Sequence, residues 1–341
     1  SSSPKEDRQA QRGVEADKLA RLELARIYQA MNLPTEAEQA YRQLQTLYPQ
    51  ETSTRLEIIQ VALAKGEFKK AVSEAEQALS VVADKAPVFT LMALAWMGLG
   101  DREKAREAFE KAFKEDPKSP IPVANLTNFY QTVGEPERAV DFLRQQLKTH
   151  PAKLELRTHL ANLYLVLKRH DEAIREYEEA IKQDPNLELP YARLGLIFHQ
   201  LGKADKAVEY YERALALNPN DPVINNNLAF HLASQRQQMD RALVLARRAA
   251  NAAPQDAGIL DTLGWVYFQM GVYDQAVEVY REIIKLKQFP AQVLYHLGLA
   301  YHRMGRKSEA VGALKEFLKV GRQLPEAAEA LSVLSSLGAS P

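Results

Sequence analysis

Apolar residues recur along this chain every three to four positions, in segments separated by short polar breaks. That rhythm predicts one amphipathic helix after another. In "PYARLGLIFHQLGKADKAVEYYERALALNP", residues 190–219, a first helix carries Tyr191, Leu194, Gly195 and Phe198 on one face. Gly202 turns the chain, and a second helix carries Ala207, Tyr211 and Ala214. Pro219 prevents that helix from continuing. Small residues at Gly195 and Ala207 let the two helices approach closely, and aromatics fill the spaces beside them. The pattern repeats. Pro117, Pro151, Pro185 and Pro219 are spaced by 34, Pro49 lies two such steps before Pro117, and Ala83 takes the missing place. Ala37, Ala71, Ala105, Ala139, Ala173 and Ala207 keep the same step. So do Gly66, Gly100, Gly134 and Gly202, with Lys168 in the fifth place. Several residue types sharing one period define an internal repeat.

Nine units start near Lys18, Thr52, Ala86, Pro120, Leu154, Glu188, Pro222, Ala257 and Ala291. Each resembles the tetratricopeptide repeat, W-x2-L-G-x2-Y followed by A, F, A and P within 34 residues. The resemblance implies an all-α fold, a right-handed superhelical solenoid of about nine helix-turn-helix repeats with one continuous core. Residues 1–17 read as a polar leader or an N-terminal helix extension, residues 18–323 as the nine repeats, and residues 324–341 as a capping helix and tail. In the cap, Pro325 and Glu326 suit a helix start, and Leu331, Leu334 and Leu337 form an apolar stripe that covers the last repeat. Three places depart from the pattern: Ile59 stands where a small residue is expected, unit seven carries an extra residue in "SQRQQMDRA", and a shift follows unit eight at "KLKQFPA". Pentatricopeptide repeats, which bind RNA, have a similar period but fit the proline and aromatic positions less well.

Charge adds little to this picture. Lys plus Arg and Asp plus Glu each total 44 in 341 residues, which gives no electrostatic reason to expect nucleic acid as a partner. The chain has no cysteine, so disulfides, thiolate nucleophiles and Cys-liganded metals are excluded. No apolar run approaches the roughly 18 residues of a membrane helix, so no direct span is expected. The opening "SSSPKEDRQAQRG" is polar and compatible with an upstream signal or anchor. No phosphate loop, nucleophile elbow or zinc-protease motif occurs. His150, His159, His170, His199, His231, His296 and His302 are scattered, and His296 and His302 fall on different faces of one helix. We therefore expect no catalytic residues, no metal site and no cofactor. In the sequon "NLT" at 125–127, Leu126 and Thr127 occupy core positions, so the match reads as accidental.

Function must then lie on a surface. Within each first helix, positions 2, 5, 9 and 12 of the unit share a face that the family resemblance places in a concave, peptide-binding groove. Trp96 falls in a core position, whereas Trp265 falls on the groove face. With Phe230, Phe268 and Tyr295, Trp265 makes an aromatic cluster edged by Asn226 and Asp261. His302, Asn128 and Asn162 occupy the same face in other units. Rigid aromatics beside a few polar groups suit a binding hot spot; the same rings would equally suit packing between neighbouring first helices. The run Asn225, Asn226, Asn227 is unusual inside a helix. Asn227 and Asn125 hold a position at which some family members bind a peptide backbone; the alternative is that all three asparagines tolerate a solvated first turn. A chaperone-type carboxylate clamp is not expected. Asn128 and Arg193 match its pattern, but Ala124 and Leu189 replace its lysines and His159 its second asparagine.

The expected function is a non-enzymatic scaffold that binds a protein or peptide segment in the concave groove. Two alternatives remain: polysaccharide binding, with Trp265 and Tyr295 stacking on sugar faces, and homo-oligomeric self-assembly. The pairing of "NNLAFHLA" with "LDTLGWVYFQMG" resembles bacterial envelope tetratricopeptide proteins, including lipoproteins near exopolysaccharide export and exosortase systems. That resemblance implies a bacterial source, and favours a periplasmic or envelope location over the cytoplasm.

Overall fold

The computed structural model describes residues 4–49, 51–117, 119–286 and 288–339. Within them every regular element is α-helix, and none is long and apolar enough to cross a membrane. The chain forms two compact units, 1–163 and 164–341. Unit one holds α1 (Pro4–Ala30), α2 (Pro34–Leu47), α3 (Ser53–Ala64), α4 (Phe68–Ala78), α5 (Ala86–Gly98), α6 (Arg102–Glu115), α7 (Pro120–Thr132) and α8 (Pro136–Thr149). The division falls inside α9 (Leu154–Val166). Unit two continues with α10 (His170–Gln183), α11 (Glu188–Gln200), α12 (Ala204–Leu217), α13 (Pro222–Ser234), α14 (Met239–Ala252) and α15 (Ala257–Gln269). It ends with α16 (Tyr273–Ile284), α17 (Gln292–Arg303), α18 (Lys307–Val320) and α19 (Ala327–Ser336). Within each unit a helix pair packs on its neighbours in sequence, as a stack of layers does.

Three helix pairs of the second unit close over a glycine. A Cβ added to Gly195 would lie 2.7 Å from the Tyr211 ring, and one added to Gly264 would lie 2.4 Å from the Tyr280 ring. At Gly298 the neighbour is Leu314, at 2.6 Å. Absence of a side chain therefore sets how closely first and second helices pack, and the facing ring or leucine fills the volume. Tyr211, Tyr280 and Leu314 are all buried as a result.

Helix starts are marked by acid caps and proline. Asp221 accepts the Ile224 N–H at 2.8 Å, Asp256 accepts those of Gly258 and Ile259, and proline opens α7 and α13. Residues 4–17, the polar leader, run as helix directly into the first repeat within α1. At the other end α19 buries Ala330 and Leu334 against the last repeat.

Between paired helices the chain passes through a left-handed residue. Glycine supplies it at Gly66, Gly100, Gly134 and Gly202, where φ lies between 69° and 80°. Lys168 adopts φ 57° in the same role, with its side chain exposed. An L-residue pays roughly 1–2 kcal/mol there, part of which glycine returns as unfolded-chain entropy. Lys168→Gly is expected to stabilise the protein by up to about 1 kcal/mol, with Lys168→Ala giving no comparable gain; urea denaturation of the three proteins checks this.

Candidate protein-binding groove

In unit two the first helices α13, α15 and α17 lie side by side. A cavity of about 250 Å³ opens between α11 and α13. Leu189, Ala192 and Leu196 give it an apolar wall, while Arg193, Asn227, Glu188, Asp221 and the Tyr211 ring supply polar groups. The Nε atom of Arg193 is buried without a hydrogen-bond partner. Asn227 Nδ2 donates to the Tyr211 hydroxyl at 3.2 Å, and burial pushes that hydroxyl's pKa up to about 12. Burial also raises the Glu188 carboxyl above its usual range, helped by the nearby charge of Asp221 and opposed by Arg193. A guanidinium, an amide and a carboxyl thus converge on an apolar hollow. Such a site can hold polypeptide by hydrogen-bonding its backbone and covering its side chains.

The three asparagines play three roles. Asn225 is fully buried, which removes the solvated first turn as an explanation for it. Its Nδ2 donates to the carbonyl oxygens of Pro219 at 2.9 Å and Asp221 at 2.7 Å, fastening the preceding loop to α13. Each such bond contributes about 1 kcal/mol, enough to offset a poor helix propensity. Asn226 is half-buried; it donates to Asn227 Oδ1 at 3.2 Å, and its own Oδ1 is buried without a partner. Asn227 lines the cavity.

The aromatic residues divide. Trp265 is half-buried, stacked on Phe268 with ring centroids 5.3 Å apart and tilted against His296 at 5.0 Å. Its Nε1 donates to Ser234 Oγ at 3.3 Å. Phe268 and Tyr295 are buried, 9% and 5% exposed, so for these two rings packing is what the structure shows. Tyr295 is covered from two elements: its ring lies on Phe317 of α18 at 5.4 Å, and its hydroxyl meets Glu329 of α19. Of the two rings expected to stack on a sugar, Tyr295 is therefore covered. Phe230 is half-buried and meets His199 edge-on at 5.9 Å. Asp261 is engaged by His296 Nδ1 at 2.8 Å, and His302 is half-buried in the last repeat. Asn128, exposed, and Asn162, half-buried, belong to unit one.

Two histidine contacts were missed by looking for ligands within single helices. His199 Nδ1 lies 3.0 Å from His231 Nε2, and His296 pairs with Asp261. Their separations of 32 and 35 residues are close to one repeat, and that was the available signal. Among the described residues, no group of three or more His, Asp or Glu side chains converges as metal ligands would.

Five repeat models match the sequence. Models described as tetratricopeptide repeat match 14–87, 190–221 and 292–320, and one described as TPR repeat matches 161–202 and 264–305. The model of the N-terminal TPR repeats region of Psidin matches 53–169. Only 222–263 lies outside these matches between residues 14 and 320. The chain belongs to the tetratricopeptide-repeat family. Curated proteins include no match to it. Among solved structures it is similar to the APC/C hetero-tetramer Cut9–Hcn1, at 20% identity over 87% of this chain and a TM-score of 0.54. It spans 59% of the length of that chain. It is also similar to a tetratricopeptide repeat protein from Parabacteroides merdae, at 18% identity over 73% of this chain and 98% of that one, with a TM-score of 0.50. At such identity the likeness speaks to the fold alone: an all-α solenoid of helix pairs.

Burial, then the neighbouring His199, lowers the His231 pKa to about 4. The unfolded chain therefore binds more protons than the native one between about pH 6.5 and about 4. Stability from a neutral His231 is fully present above that window and is lost as pH falls through it. His159, also lowered by burial, adds to the same slope. Midpoints of thermal unfolding should fall across this range in the native protein and fall less steeply in His231→Gln.

Proposed function

We propose that this chain is a protein-binding scaffold that holds an extended segment of a partner against the first helices of its second unit. The observation that carries the reading is the cavity between α11 and α13, where Arg193 and Asn227 line a hollow with an apolar wall. The Arg193 guanidinium and the Asn227 amide are groups of the kind that hydrogen-bond a partner's backbone. Half-buried Trp265, further along the same row of helices, offers a rigid anchor for a partner side chain. Nothing in this arrangement supplies a nucleophile with a base, and a reaction is not part of the proposal.

The test is retention of partners from extracts on the immobilised protein, comparing the native chain with Arg193→Ala, Asn227→Ala and Trp265→Ala, each checked for native helix content. A partner bound by the native chain and held at least about tenfold more weakly by Arg193→Ala and Asn227→Ala is the expected result. Equal retention by all four would remove the groove from the proposal.

The reading extends to a place in a bacterial envelope or export assembly. Its support is the resemblance of "NNLAFHLA" and "LDTLGWVYFQMG" to envelope tetratricopeptide proteins. Fractionation of cells carrying the tagged full-length protein should recover it with periplasm or membranes; recovery in the cytosol alone would refute this part.

A further inference from the structure

In unit one, α1 carries an apolar face on its outer side. Val14, Leu19, Leu24 and Ile27, with Met31 just beyond the helix, are 45–63% exposed. Among the described residues, no other helix exposes more than one large apolar side chain. Ala16, Ala20, Leu24, Ile27 and Met31 follow steps of four, four, three and four, so they form one stripe along the helix. The opposite side packs on α2 through Leu22 and Ala25. A terminal layer of a stacked protein ordinarily turns a polar surface outward. The other terminal helix does so: α19 exposes Glu329, Ser332, Ser335 and Ser336.

The stripe is complementary to a second copy of itself. Its small members, Ala16 and Ala20, lie towards one end, and its long ones, Ile27 and Met31, towards the other. An antiparallel copy sets small against large at both ends, whereas a parallel copy leaves a gap at one end and crowds the other. Charge agrees. Glu23 and Arg26 flank the middle of the stripe, paired to each other at 2.9 Å. A two-fold axis beside Leu24 brings each Glu23 opposite Arg26 of the other copy. The remaining ionic groups of this stretch are already matched, Asp17 with Arg21 and Glu15 with Lys18. Head-to-tail stacking finds no apolar counterpart on the polar side of α19, so the pairing closes at two chains. We propose that α1 is a self-association surface through which two copies of this chain pair, α1 against α1, antiparallel about an axis near Leu24. A helix stripe about 22 Å long covers less than the roughly 800 Å² per partner of a standard interface, so the dimer is reversible. The proposal does not depend on the groove in unit two.

The test is the mass of the full chain in solution, by sedimentation velocity from about 1 to about 300 µM, a range that brackets a reversible dimer. The mass should rise from one chain towards two and stop there. Leu24→Lys with Ile27→Lys should weaken pairing at least about tenfold, with helix content and melting unchanged because both positions are exposed. The chain has no cysteine, so single substitutions report geometry. With a short bis-maleimide, Leu24→Cys should crosslink to its own copy. Ala16→Cys, about 24 Å from its counterpart in an antiparallel pair, should not. A native chain that keeps the mass of one copy throughout overturns the proposal and leaves the stripe to a different occupant. Equal pairing by the doubly substituted chain, growth beyond two copies, or crosslinking of Ala16→Cys as readily as Leu24→Cys overturns it as well.

Discussion

In three helix pairs of the second unit, a missing side chain sets how the layer is built. Where Gly195, Gly264 and Gly298 meet Tyr211, Tyr280 and Leu314, the second helix of a pair rests against first-helix backbone. That approach makes each pair a flat, two-helix layer whose remaining apolar face is exposed until another layer covers it. Stacking follows from this need. Within the second unit the row of first helices follows from stacking, and the cavity between α11 and α13 is a hollow in that row. The scaffold settles position, and a few side chains that the packing does not require settle chemistry.

Those side chains cluster at one place in the repeat. Arg193, Asn227 and His296 all occupy the sixth position of their units, within reach of the ring from the preceding second helix. Asn227 donates to Tyr211, and His296 lies 5.8 Å from Tyr280. Backbone geometry repeats while this residue changes, so each layer can present a different group at an equivalent point. A groove built this way reads a partner's chain as a series of local environments instead of one large patch.

Most of the fold was legible because a shared period of 34 is carried by several residue types at once. Even the exception at Lys168 was visible, and it adopts the backbone conformation of the glycines it replaces. The groove was less legible. Periodicity tells which face a residue is on, yet it does not say what covers that face. Tyr295 shares the groove register with Trp265, but the cap closes over it, and a single helix wheel cannot show this. Asn225 looked like a residue at a wet helix start; two carbonyl oxygens in the preceding loop make it a buried fastener. Arg193 was noted only as part of an incomplete clamp, and its place at the cavity depends on α13 across from it.

The extra residue of unit seven has a consequence for how such chains lengthen. α13 and α14 keep 13 and 14 residues, the same as α11 and α12. The addition is taken up wholly between Ser234 and Met239, where Arg236 and Gln238 both take positive φ. Helix phase on either side is preserved, so the layers still fit while the count along the sequence slips. This stretch falls within 222–263, where the repeat models do not match. Repeat proteins can thus diverge in arithmetic before they diverge in shape: a turn that absorbs an insertion conceals kinship from any comparison that assumes a fixed period, while the neighbouring layers experience no change at all.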